Sequence, residues 1–483
     1  GDRPVLERFS GVRVAVIGDV LYDAYLDGPA SRLSREAPVP VVAVDDRRDA
    51  AGGAANVAVN LAALGARVEL YSVVGDDDAG ARVLEILREH RVGVDGVVVS
   101  PRRRTCAKRR VLAAGQMLVR YDEGTEVPAE PDEQRRIAAA LSAALPGVQA
   151  VVASDYGTGV LTDALVADLA HRGADVLLVA DGHDPGRFRP ARPTACTPNF
   201  AEARALAAAG AGRPADRADG IAAAADRILT ATGAVVVAVT LDRDGAVVLE
   251  RGRPPRPVRV EPAVARCSAG AGDTFTAALT LALVAGTDAV TAARLAAEAA
   301  RVVVVKPGTA TCSLAELRLR MLPPGKLIAD VARLAAEADR HRGEQRRIVL
   351  ANGCFDILHP GHVALLDEAK RLGDILVVAV NGDASVRRLK GASRPVNNLA
   401  DRIAVLAALS CVDHIIAFDG DRPVDVIRAL RPDVLVKGGD YTAESVPEAA
   451  LVRALGGHVR IVDLVPERST TRIIERLALS GAR

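Results

Sequence analysis

Short, continuous apolar runs recur along this chain, and an Ala-rich stretch of helical period follows most of them. Residues 12–17 (VRVAVI), 68–74, 151–153, 176–180 and 235–240 are such runs, several ending in Gly, Asp, Ser or Thr. Runs of this length without polar alternation read as strands buried on both faces. The segments between them, 56–64 and 163–170 among them, read as the covering helices. The alternation predicts an α/β fold, with a central, mostly parallel sheet between two helical layers. Two segments break the rhythm, 39–44 (VPVVAV) and 106–121 (CAKRRVLAAGQMLVRY). Neither has a helical period, so both are expected as strands outside the main sheet, forming a small β lid over a site.

The texture changes at the breaker cluster 321–325 (MLPPG). One charged amphipathic helix is expected over 326–342, and a fresh strand opens at 348–350. Further strands at 375–380, 414–417, 434–436 and 459–464 alternate with helices. The expected division is a first α/β domain over 1–318, a linker with a helix over 319–345, and a Rossmann-like domain over 346–483. A chain of 483 residues suits two or three domains. Its net charge of +1 and its 2% aromatic content, with no Trp, argue against nucleic acid as a partner. No apolar run reaches the roughly 18 residues of a membrane span. Six scattered cysteines without a CxxC pair argue against a disulfide framework or a zinc site and for the cytoplasm.

Chemistry concentrates at strand–turn–helix junctions. Gly270-Ala271-Gly272-Asp273 opens an Ala-rich helix. The glycines let backbone N–H groups approach a ligand, and a helix start suits an anion. Asp273 there is either a catalytic base for a hydroxyl attacking a phosphoryl group or a plain N-cap. Gly52-Gly53-Ala-Ala-Asn56 follows one strand and Asn199-x-x-Glu202 another. Asp19 ends the first strand, and Asp23 lies four residues on. Carboxylates in such places point into the ligand crevice of an open sheet.

Together these elements resemble the ribokinase (PfkB) family of sugar kinases over roughly residues 10–315. The resemblance implies that Asp273 is the base and that Gly270, Ala271 and Gly272 form the anion hole. Asn199 and Glu202 would organise ATP and, indirectly, Mg²⁺, with Thr240 and Gly245 also at the ATP site; no direct metal ligand is assigned. Asp19, Gly52, Gly53 and Asn56 would hold sugar hydroxyls. The family usually has Asp where this chain has Cys267, which leaves a cation or loop-ordering role there without its usual residue. Lys108 and Arg110 alternate onto one face of the expected lid, with Arg120 nearby. They would suit a sugar phosphate or simply decorate a solvated edge strand.

In the second domain, Asn352-Gly353-Cys-Phe355-Asp-Ile-Leu-His359-Pro-Gly-His362 directly follows a strand. Two imidazoles at a helix N-terminus can donate to a phosphate whose charge rises in the transition state. Of 62 basic residues only Lys108, Lys306, Lys326, Lys370, Lys390 and Lys437 are lysines. A lysine in so Arg-rich a chain marks a place where a compact ammonium is wanted. Lys390, Lys437-Gly438-Gly-Asp440 and Ser469-Thr470-Thr471 complete a set that resembles the cytidylyltransferase-like nucleotidyltransferases. The resemblance implies that His359, His362 and Lys390 act on the α-phosphate. Asn352, Gly353, Phe355, Lys437, Gly438, Asp440 and Ser469–Thr471 would bind nucleotide and pyrophosphate, and Arg402 would face the substrate phosphate.

The two halves in this order, with residues 31–42, 381–385 (NGDAS), 389–396 (LKGASRPV) and 437–441 (KGGDY), resemble the bifunctional heptose 7-phosphate kinase/heptose 1-phosphate adenylyltransferases. The expected activity is ATP- and Mg²⁺-dependent phosphorylation at O1, then adenylyl transfer giving ADP-heptose, by a cytoplasmic homodimer. Two alternatives are a chain in which only the transferase works and a nucleotide-sensing protein without turnover.

Overall fold

The computed structural model describes residues 3–207, 217–260, 267–321, 326–439 and 445–462. The chain forms two compact units, Gly1–Leu317 and Arg318–Arg483.

Among the described residues, the N-terminal unit is built on nine strands. Their order is Arg256–Val258, Ala246–Glu250, Val236–Thr240, Ala195–Cys196, Leu177–Gly182, Ala150–Asp155, Arg13–Gly18, Arg67–Gly75 and Val97–Ser100. All neighbours are parallel except at the first two strands, which pair antiparallel. The chain winds outward on both sides of Arg13–Gly18, so the crevice at the C-terminal end of that strand is a topological switch point. The inner strands are rich in Val and Ala and are buried on both faces, as their unbroken apolar runs require. The helix Ala271–Val284 is apolar nearly all round, which forces it into the interior.

A second sheet of four strands runs Asp46–Gly53, Val20–Asp27, Cys106–Ala113 and Gln116–Glu123. The segment 106–121 thus supplies two of its strands, turned at Ala114–Gly115. The segment 39–44 does not join it. Only Pro40–Val41 is extended there, and it pairs with Arg32–Leu33. The fourth strand comes instead from DRRDAAGG, which has no apolar pattern and is recruited by full-length pairing with Val20–Asp27.

The C-terminal unit is a parallel sheet in the order Leu327–Ile328, His414–Phe418, Ile375–Asn381, Ile348–Gly353, Val434–Gly438 and His458–Val462. Its switch point lies beside Ile348–Gly353. The expected helix over 326–342 begins only at Val331, where the Asp330 carboxylate accepts from the Arg333 N–H at 2.8 Å. Leu327 and Ile328 extend instead to cover the sheet edge, so this part of the expected linker is built into the C-terminal unit. Among the described residues no helix is long and apolar enough to cross a membrane.

Candidate active sites

Asp273 is buried in the first turn of the helix Ala271–Val284. One carboxylate oxygen accepts from Asn56 Nδ2 at 2.6 Å, the other from the Tyr156 hydroxyl at 2.8 Å. Asn56 is fixed in turn by Asn60 Nδ2, 3.1 Å from its Oδ1. Asn60 Oδ1 accepts from Thr274 Oγ1 at 2.9 Å. Gly270 makes this possible. It has φ of 78°, and a Cβ there would stand 2.6 Å from Asn56 Nδ2. Burial pushes the Asp273 carboxyl up to about 6, against the two hydrogen bonds that favour its anion. Asp23 pushes it further up and Lys108 pulls it down. Burial and Asp273 hold the Tyr156 phenol well above its usual range, so it remains a donor.

Asp19 departs from the expected sugar contact. Its carboxylate is fully buried and accepts from the backbone N–H groups of Tyr156, Thr158 and Val160 at 2.8–3.0 Å. Asp23, four residues on, acts electrostatically on the Asp273 carboxyl. It receives Arg110 Nη1 at 2.6 Å and Thr309 Oγ1 at 3.0 Å. Gly52 leaves room for it, because a Cβ there would come 2.8 Å from Asp23 Oδ2. Gly53 has φ of 59° and precedes the helix Ala54–Ala63. Lys108 lies with Nζ 5.3 Å from the Tyr156 ring centre. Arg120 instead points outward and pairs with Asp122 at 2.7 Å.

Asn199 and Glu202 form a capping box at the helix Phe200–Leu206. Asn199 Oδ1 accepts from Ala201 and Glu202 N–H, and Glu202 Oε2 accepts from Asn199 N–H at 2.8 Å. Thr240 is bridged to Asn199, and Gly245 closes the following turn with φ of 91°. Cys267 donates its N–H to the Val304 carbonyl. Sequence reasoning missed Tyr156 and Asp181. The signal for Asp181 was available, since it stands near the C-terminal end of the strand Leu177–Gly182. Burial, Asp273 and Glu202 push its carboxyl up to about 8, against hydroxyl bonds from Thr197 and Thr276.

Both buried carboxyls bind protons more tightly folded than unfolded. The stability this confers is complete near pH 4 and is lost as pH rises through about 6 and about 8. The melting temperature of the N-terminal unit should therefore fall between about pH 4 and 8, and Asp181→Asn should remove the part of that fall above about pH 6. Kinase kcat/KM should run the other way, rising through about pH 6 as Asp273 ionises. A pH series of calorimetry and initial rates checks both.

In the C-terminal unit, His359 is the N-cap of the helix Pro360–Arg371 and His362 its third residue. Their rings stack with centroids 3.8 Å apart, and Phe355 braces His362 at 5.3 Å. Phe355 adopts φ of 46°, which folds its ring over Gly353. Burial and the neighbouring His359 push His362 down to about 4, and burial lowers His359, so both rings are neutral near pH 7. Asn352 Oδ1 is buried without a partner among the described residues. Lys390 ends the helix Asp383–Lys390, exposed, and its charge reaches the Cys354 thiol. Lys437 Nζ lies 3.5 Å from Glu448 and is followed by Gly438 at the strand end.

Arg402 corrects another expectation. Its side chain is fully buried, and its donors go to the Asn397 and Cys354 carbonyls and to Asp383 Oδ1 at 2.7 Å. It clamps the 354 loop to the 397 loop, leaving no free fork for a substrate phosphate. Asp440 and Ser469–Thr471 lie outside the described residues.

Two phosphate-directed sites on two α/β units define a sugar kinase joined to a nucleotidyltransferase. The family model for pfkB family carbohydrate kinases matches residues 12–316, and the cytidylyltransferase-like model matches residues 350–476. The chain is 41% identical to the bifunctional protein HldE of Pelobacter propionicus, with 99% of each chain covered. It is 40% identical to that of Alcanivorax borkumensis, with 98% of each covered. The chain belongs to this HldE family. Its N-terminal fold is similar to Escherichia coli phosphofructokinase-2 (TM-score 0.53, 20% identity, 64% of this chain and 97% of that one). It is also similar to Arabidopsis thaliana ribokinase (TM-score 0.51, 21% identity, the same coverage).

Proposed function

We propose that the N-terminal unit phosphorylates O1 of a heptose 7-phosphate and that the C-terminal unit transfers AMP from ATP to the resulting heptose 1-phosphate once the 7-phosphate is removed. The observation that carries the reading is the placement of Asp273. Its carboxylate is held by Asn56 and Tyr156 and tuned near neutrality, facing a lid strand that brings Lys108 to the same cleft. Asp273 would take the O1 proton as the γ-phosphoryl group transfers in line. In the other unit the neutral imidazoles would donate N–H to the α-phosphate, and Lys390 would neutralise it.

ATP and Mg²⁺ belong to this reading. The carboxylates of Glu202 and Asp273 both raise the proton affinity of Asp181. This oxygen-only set suits a hard cation. Bound with the triphosphate, Mg²⁺ supplies charge neutralisation, and Asp181 and Glu202 would hold its waters. Six free thiols support a cytoplasmic location. Exposed Met117, Leu118, Val119 and Tyr121 on the lid strand Gln116–Glu123 support a homodimer through that edge.

The test is incubation with ATP, Mg²⁺ and heptose 7-phosphate, and separately with heptose 1-phosphate, read by mass spectrometry. Heptose bisphosphate and ADP-heptose are the expected products. Absence of either product overturns the corresponding half. Lys108→Ala should weaken heptose 7-phosphate binding about ten- to a hundredfold by removing a charge-assisted contact, with ATP affinity unchanged. Arg110 is the poorer probe, because its loss also strips Asp23 of its buried partner. Equal loss of both affinities in a titration of Lys108→Ala would assign it to folding.

A further inference from the structure

Of the eight histidines in the chain, two meet away from the His359–His362 pair. His341 lies on the helix Val331–Gly343, and His414 is the first residue of the strand His414–Phe418. They therefore stand at the opposite end of the parallel sheet from the ligand crevice. Both are buried, and their Nε2 atoms are 3.0 Å apart. Glu337 lies one helical turn before His341. One carboxylate oxygen and one nitrogen from each ring all lie within 4.8 Å of one another.

Two imidazole nitrogens at this distance cannot both present lone pairs unless a proton or a cation lies between them. Arg340 Nη2 stands 3.3 Å from His341 Nε2, and a guanidinium only donates, so that nitrogen carries a lone pair. The His341 proton then sits on Nδ1, which is buried with no hydrogen-bond partner among the described residues. Glu344 Oε2 is 3.9 Å from it. A carboxylate beside the outer nitrogen is the usual support of a metal-bound histidine. The observed nitrogen separation is close to the ~3.3 Å that two ligands about 2.05 Å from a tetrahedral zinc ion would have. Glu337 is held by Arg340 at 2.9 Å, and Arg340 is half-exposed. Such a surface pair is weak and lets the carboxylate turn.

We propose that Glu337, His341 and His414 form a binding site for a divalent transition metal, zinc in particular, with water as the fourth ligand. The ion clips the helix Val331–Gly343 to the strand His414–Phe418 and has no part in either transfer reaction. Two imidazoles and one carboxylate from elements far apart in sequence match the zinc donor preference.

The full chain, stripped with a chelator and dialysed, is titrated with Zn²⁺ against a chromophoric competitor. Co²⁺ serves as a spectroscopic stand-in. One tight equivalent, intense tetrahedral Co²⁺ bands and a zinc-dependent rise in melting temperature are expected. His341→Gln and His414→Gln should each remove that equivalent, whereas His359→Gln, in the other histidine pair, should keep it. If a buried-histidine variant does not fold, Glu337→Gln replaces it. That variant should bind Zn²⁺ at least about tenfold more weakly, while the metal-free melting temperature stays as in the parent. The absence of a tight equivalent overturns the site. So does one that survives these substitutions or is lost only in His359→Gln.

Discussion

Asp273→Asn should lower heptose bisphosphate formation by about two to four orders of magnitude, the usual contribution of a positioned general base. The substitution keeps the size of the side chain and removes its capacity to take a proton. Asn56 and Tyr156 both donate to the carboxylate, so an amide also presents one wrong group to them. Adenylylation of supplied heptose 1-phosphate should proceed at the parent rate, because its chemical groups belong to the other unit. Rates of both half-reactions on one preparation check this. If the variant stopped adenylylation as well, two independent sites would be the wrong description.

His362→Ala should cost about a hundred- to a thousandfold in adenylyltransferase kcat, with a much smaller change in KM. The ring is neutral near pH 7, so it contributes as a preorganised N–H donor more than as a charge. Its contact gains most when the phosphorus becomes five-coordinate and the oxygens take on charge. Lys390→Arg is the sharper companion, because it keeps the charge and changes its shape. Lys390 is exposed at a helix end, where a solvated arginine would fit without strain. Loss of most transferase activity, with kinase activity and melting temperature unchanged, is the expected result. Near-normal ADP-heptose synthesis would sink the role assigned to Lys390.

The parallel sheets were legible because their strands are buried on both faces, which leaves a continuous apolar run in the sequence. The strand Asp46–Gly53 left no such trace; its partner strand dictates its conformation. Likewise Leu327 and Ile328 read as the start of a helix, and only the open edge beside His414–Phe418 makes them a strand. The glycine turns marked both sites because a turn that admits backbone to phosphate needs special residues at fixed spacing. Which carboxylate acts on Asp273 was harder. Asp19 and Asp23 are four residues apart, and their roles depend on where the chain passes from one sheet to the other. Arg402 illustrates the same limit. A buried arginine is rare, and its partners Asn397, Cys354 and Asp383 are visible only once the loops are assembled. Tyr156 lies 117 residues from Asp273, and no local pattern links them.

Asp19 alone separates the main-sheet strand Arg13–Gly18 from the lid strand Val20–Asp27. It is fastened on both sides. Its N–H donates to Ser154, its carbonyl accepts from Ala54, and its carboxylate gathers three backbone N–H groups from the 156–160 turn. The turn from one sheet into the other is therefore pinned at Asp19. Lys108 and Arg110 are in register with Asp23 and Tyr25 on the neighbouring lid strand. The lid strand Val20–Asp27 thus leads straight back to Asp19. The Asp19 carboxylate there meets the N–H of Tyr156, whose hydroxyl donates to Asp273. One tyrosine thus ties the joint between the two sheets, through its backbone, to the Asp273 carboxylate, through its side chain.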